Sequence, residues 1–153
     1  MQNFGTAEVL TAFLTAVMFF SQVAHGYQDH ALVEAGGRND LKRVQQLLEM
    51  GADVNSKDED GATALIEASF KGHAEMVRLL LEKGADVNAP DRVGVTSLME
   101  ASLLGHLEVV KLLLEHGADA NAEDKDEATA LTRASARGRT KIVYILKARG
   151  AKH

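Results

Sequence analysis

The 153-residue chain has no cysteine and no tryptophan. Without cysteine there is no disulfide, zinc–thiolate site, iron–sulfur cluster or cysteine nucleophile. One proline is too few for a proline-rich linker or a collagen-like chain. Aromatic residues make up 5% of the chain, and four of the five phenylalanines (Phe4, Phe13, Phe19, Phe20) fall within the first 20 residues. Acidic residues are missing from 128–153, where Arg133, Arg137, Arg139, Lys141, Lys147, Arg149 and Lys152 give +7. Residues 1–127 hold 10 basic and 22 acidic side chains, so the net charge of −5 averages a −12 body with a basic end. Gly-x-Gly-x-x-Gly, P-loop, nucleophile-elbow and His-Glu-x-x-His motifs are all absent. The chain is therefore expected to be no enzyme, with no cofactor. Its 46% apolar and 25% charged content is that of a soluble globular protein of one domain.

What is present is an internal repeat. Residues 62–94 and 95–127 match at 19 of 33 positions without a gap. Leu32, Glu34, Ala35, Val44, Leu47, Leu48, Gly51, Asp53 and Asn55 lie in phase upstream. Thr129, Leu131, Ala134, Ser135, Gly138, Val143 and Gly150 lie in phase downstream. The chain divides into an N-terminal segment, 1–26, and four units at about 27–61, 62–94, 95–127 and 128–153.

One unit is readable from its residues. Thr63 or Thr96 caps a short helix that runs to about Phe70 or Leu103. Gly72 or Gly105 ends it. A second helix runs from His73 to Lys83, or from His106 to His116, with Val77-Leu80-Leu81 and Val110-Leu113-Leu114 at helical spacing. The Ala-Asp-x-Asn-Ala segment that follows is turn chemistry. A single helical hairpin cannot bury both helices, so the units must stack into an all-α solenoid.

The strings Gly-His-x-Glu-x-Val-x-Leu-Leu-Leu-Glu-x-Gly-Ala-Asp-x-Asn-Ala at 72–89 and 105–122 resemble ankyrin repeats, over roughly 27–153. The resemblance implies stacked helix-turn-helix units with extended β-turn loops. It also implies a protein-binding scaffold with a concave surface lined by turn tips and first helices. The family's Thr-Pro-Leu-His reads Thr63-Ala64-Leu65-Ile66, Thr96-Ser97-Leu98-Met99 and Thr129-Ala130-Leu131-Thr132 here, without its proline and histidine. The end units read as caps: Gln46 replaces Leu79 and Leu112, and Lys147 replaces Leu81 and Leu114.

Residues 9–24 carry no charge, and their strongest stretch, Val9 to Phe20, is short against the roughly 17–25 residues of a membrane span. Its length suits a signal-peptide core, with Ala24-His25-Gly26 supplying small residues for cleavage before Tyr27. No lysine or arginine precedes it, and Glu8 abuts it. An export signal is the reading adopted, which places the protein in a secreted or periplasmic setting. A helix packed on the first unit and a membrane anchor or interfacial helix are the alternatives. Without an export signal the protein is expected to be cytoplasmic.

Six histidines suggest metal, but His73 and His106 fall one per unit, about 10 Å apart in stacked helices. That is too far for a shared zinc with ligands near 2 Å. The resemblance gives this position to hydrogen bonding between repeats. His25, His30, His116 and His153 show no ligand spacing. Glu67 and Glu100 recur at one position, so they serve the repeat; Lys71 or backbone groups are their expected partners.

Mapped by the resemblance, the partner-binding candidates are Glu59, Asp60, Ile66, Phe70 and Lys71 in unit two. They continue as Arg92, Val93, Val95, Met99, Leu103 and Leu104 in unit three, and Lys125, Asp126 and Arg137 in unit four. Val93, Val95, Leu103 and Leu104 are apolar where exposure is expected, with Phe70 beside them. Such a patch marks a partner site, or else covers neighbouring repeats or a homodimer contact. The partner is taken to be another protein of unidentified kind. Self-association into a homo-oligomer and polyanion binding through 133–152 are the alternatives. Nucleic acid is disfavoured, because only Tyr144 interleaves with the basic residues. A membrane enters only if residues 9–24 stay as an anchor.

Overall fold

A computed structural model describes Thr11, Leu14, Thr15 and residues 26–152. The export-signal, packed-helix and anchor readings fall on residues that, apart from those three and Gly26, lie outside the described ones. No helix among the described residues is long and apolar enough to cross a membrane.

Residues 26–37 are helical (α1). There follow α2 Leu41–Glu49, α3 Ala64–Lys71, α4 Ala74–Glu82, α5 Ser97–Leu104, α6 Leu107–Glu115, α7 Ala130–Ala136 and α8 Thr140–Ala148. Thr63 opens α3 from an extended backbone, its hydroxyl accepting from the Ile66 N–H at 3.2 Å. Thr129 does the same for α7 and completes a capping box with Thr132. Thr96 takes the same backbone conformation but caps nothing with its side chain.

Each hairpin packs internally, and the hairpins stack: α3 on α5 on α7 in a first row, α4 on α6 on α8 in a second. Helix α1 joins the first row where Gly36 lies against Ala64; a Cβ on Gly36 would stand 2.9 Å from the Ala64 Cβ. One core runs the length of the stack, from Leu32 and Val44 through Leu80 and Leu113 to Leu146. The result is an all-α solenoid of stacked helical hairpins.

Polar bonds recur with the repeat. The His73 Nε2 donates to the Gly37 carbonyl at 3.3 Å, and the His106 Nε2 to the Phe70 carbonyl at 3.0 Å. A carbonyl only accepts, so Nε2 carries the proton in both. These are the inter-repeat bonds that the family resemblance implies. The Asn55, Asn88 and Asn121 side-chain oxygens accept from the backbone N–H groups of Asp86, Asp119 and Lys152, at 2.7, 2.8 and 2.8 Å.

Position within the unit decides burial. Ile66 and Met99 are buried, whereas Thr132 at the equivalent place is exposed. Leu81 and Leu114 are buried, whereas Lys147 is exposed. The last unit carries no further hairpin on its far side among the described residues, and it is polar where the inner units are apolar. Gln46 of the first unit is likewise exposed.

Candidate partner-binding face

The loops between hairpins are built as fingers by aspartate. The Asp58 Oδ1 accepts from the N–H groups of Asp60 and Ala62, both at 2.9 Å. Asp91 holds Val93 and Val95 in the same way, and Asp124 holds Asp126 and Ala128. Neighbouring fingers are laced through the backbone, Arg92 N–H to Asp60 carbonyl at 3.1 Å and Lys125 N–H to Val93 carbonyl at 3.0 Å. Rigid fingers of this kind hold their tip residues in fixed places.

One column on the first-row helices adjoins these fingers: Glu34, Glu67, Glu100 and Arg133, each 33 residues from the last. Glu34, Glu67, Asp58 and Lys71 help to line one recess of about 430 Å³. At the other end, a Glu100 oxygen lies 3.7 Å from an Arg133 nitrogen, and Arg133 also donates to Asp124. Glu100 thus pairs across the repeat with Arg133, and not with Lys71 or backbone groups. Lys71 instead sits over the Phe70 ring, 5.0 Å from its centroid.

Environment separates the two acids held by Arg133. Burial pushes the Glu100 carboxyl above its ordinary value; Arg133 opposes this, while Asp91 and Glu67 add to it. Burial also opposes charge on Asp124. There the Arg133 hydrogen bond and the Ala128 and Asp126 N–H groups win, and hold it below the ordinary carboxylate value.

The structure divides the expected apolar cluster. Phe70 and Val93 are 40% and 53% exposed, and Leu103 and Leu104 are half-buried. Val95 is a correction: at 6% exposure it belongs to the core, because its backbone closes the Asp91 finger and turns the side chain inward. Ile66 and Met99 are also corrected, at 4% and 1%; the next hairpin stacks on their position. Glu59, Asp60, Arg92, Lys125 and Asp126 are exposed on the fingers, and Lys71 and Arg137 at the ends of first-row helices.

The link from Glu100 through Arg133 to Asp124 was not foreseen. Its signal was the change from glutamate to arginine at the fourth place of the column. Among the described residues no group of histidine and carboxylate side chains could hold a metal ion.

A family model described as ankyrin repeats (3 copies) matches residues 30–124 and 94–153. Comparison with curated proteins gives no match.

Proposed function

The chain belongs to the ankyrin-repeat family, and from that premise we propose that it binds a protein partner on the concave surface formed by its fingers and first-row helices. Ankyrin repeats are generally protein–protein interaction modules, and the family is generally non-catalytic. One observation carries the reading. Phe70 and Val93 stay exposed on the same fingers and first-row helices that carry half-buried Leu103 and Leu104. An aromatic with aliphatic neighbours serves as the anchor, and the finger charges steer encounter and select among partners. Phe70, Val93, Leu103 and Leu104 form the centre; Glu59, Asp60, Lys71, Arg92, Lys125, Asp126 and Arg137 form the rim.

Leu103→Glu with Leu104→Glu tests this. Both side chains are partly exposed, so helix content stays intact while capture of a partner from host extract is lost. Undiminished capture of the same partner refutes the reading.

A second reading, self-association, draws on the basic last unit, where Tyr144 is 76% exposed. Sedimentation at two salt concentrations tests it, and a monomer at every concentration removes it. The compartment follows from residues 1–26: export is the reading carried forward.

A further inference from the structure

On the face described above, cations are unevenly used. Arg38 is engaged with Glu34 at 2.8 Å, at the start of the column. Arg133 is engaged with Glu100 and Asp124, at its end. Between them lie Asp58, Glu59 and Asp60 on the first finger and Glu67 on α3. Among the described residues none of these four carboxylates has an ion-pair partner. Neither nearby lysine, Lys57 or Lys71, forms an ion pair with them. The Lys57 Nζ donates to the Pro90 carbonyl at 2.6 Å, and Lys71 sits over Phe70. Carboxylates without an ion-pair partner therefore lie at the edge of the exposed apolar surface. Asp58 and Glu67 line the same recess with Glu34, Arg38 and Lys71, so its three carboxylates outnumber its two cationic arginine and lysine side chains, and its roughly 430 Å³ has room for a long side chain.

We infer that the segment this face receives is basic and apolar: a lysine or arginine set against Glu67 and the finger carboxylates Asp58, Glu59 and Asp60, and an apolar side chain on Phe70 and Leu103. This rests on the partner-binding reading and gives the partner its chemistry. The stack also sets a spacing. Glu67 on α3 and Leu103 on α5 lie on neighbouring helices of the first row, whose axes pack about 8–10 Å apart. An extended chain covers that in about three residues at roughly 3.3 Å each. The basic residue and the apolar residue therefore stand about three apart. Partial desolvation in the recess strengthens the pairing relative to open water.

The probes are three short peptides with leucine three residues from lysine, from glutamate or from glutamine, followed by fluorescence anisotropy on the full chain at low and moderate salt. The lysine peptide binds, weakens with salt, and loses about tenfold or more in affinity with Glu67→Gln plus Asp60→Asn. It is unaffected by Glu82→Gln plus Glu115→Gln, which remove the same charge from the second row. Circular dichroism checks that each variant is folded, and Glu59→Gln plus Asp60→Asn, confined to the exposed tip, gives a smaller loss in the same direction. No binding by the lysine peptide overturns the inference, as does equal binding by the glutamate peptide or an undiminished affinity in the charge variants. If the glutamine peptide binds as well and is lost with Leu103→Glu plus Leu104→Glu, the cation inference falls and the partner face stands. If lysine-peptide binding survives those leucine changes, both fall.

Discussion

Arg139 stands where His73 and His106 stand and makes the same bond: its Nε donates to the Leu103 carbonyl, 36 residues back, at 3.2 Å. The carbonyls of Gly37, Phe70 and Leu103 thus each accept from the next hairpin, although the donor changes from imidazole to guanidinium. The bond, not the residue type, is what the stack requires.

Arg139→Ala is therefore expected to cost about 0.5–1.5 kcal/mol, the usual net worth of such a hydrogen bond. Arg139→His should restore most of it. His106→Ala should cost a similar amount. Urea unfolding followed by circular dichroism measures all three. An Arg139→Ala midpoint equal to the parent's would show that the bond carries no stability.

Glu127 has φ +59° where Gly61 and Gly94 have +78° and +89°. A left-handed conformation strains a side chain with a Cβ. Glycine is needed twice over in the inner fingers. A Cβ on Gly61 would stand 2.8 Å from the Arg92 N, and one on Gly94 would stand 3.0 Å from the Asp124 Cα. Glu127 lies on the last finger, where among the described residues no further finger follows, so only the backbone strain remains. Glu127→Gly is expected to stabilise the fold by roughly 0.5–1 kcal/mol, the relief of strain exceeding the greater freedom of glycine in the unfolded chain. Gly94→Glu should destabilise by more, since strain and collision add. Equal and opposite effects of the two changes would show that φ alone matters.

Period and punctuation made most of the fold legible. Thr63, Gly72 and the apolar triads such as Val77-Leu80-Leu81 place α3 and α4 to within a residue or two, because capping, left-handed glycine and helical spacing are local. The binding face was less legible because exposure is not local. Val95 looked open in sequence, yet the hydrogen bond from its N–H to Asp91 folds it inward. Ile66 and Met99 looked open until the next hairpin covered them. The partner of Glu100 is Arg133 on α7, in the next unit, and no local spacing around Glu100 points to it.

The two acids on Arg133 should respond to pH with opposite signs. The folded-state value of Glu100 is raised above its ordinary 4.5, through burial and despite Arg133. The stability linked to it is present below about that ordinary value and is lost as pH rises through the folded value. Asp124 is lowered from its ordinary 3.8: burial opposes this, but Arg133 and two backbone N–H groups outweigh it. Its contribution is present above that value and is lost as pH falls through the folded one. Glu100→Gln should therefore gain on the parent as pH rises from acid to neutral, and Asp124→Asn should fall behind over the acid range. Urea midpoints across that range test both. Parallel curves for either variant would mean that its carboxyl titrates alike in the folded and unfolded chains.

The mature N-terminus is the remaining prediction, and it bears on where any partner is met. Helix α1 is tied to the fold from Asp29 onward: its side chain accepts from the Asp53 N–H at 3.3 Å, and its carbonyl from the Ser56 hydroxyl at 3.4 Å. Cleavage before Tyr27 leaves these ties in place, along with Leu32, Val33 and Ala35 of the core. If residues 1–26 are an export signal, protein recovered from its own host begins at Tyr27, and a chain started there unfolds at the same urea concentration as the recovered protein. If the segment packs on the first unit instead, the recovered protein begins at Met1. Removing the segment then lowers stability by about 2 kcal/mol or more, the worth of one or two buried apolar side chains. A start at Met1 with no loss on removal contradicts both readings and leaves the segment free to serve as an interfacial anchor, which vesicle flotation of the full chain would then detect.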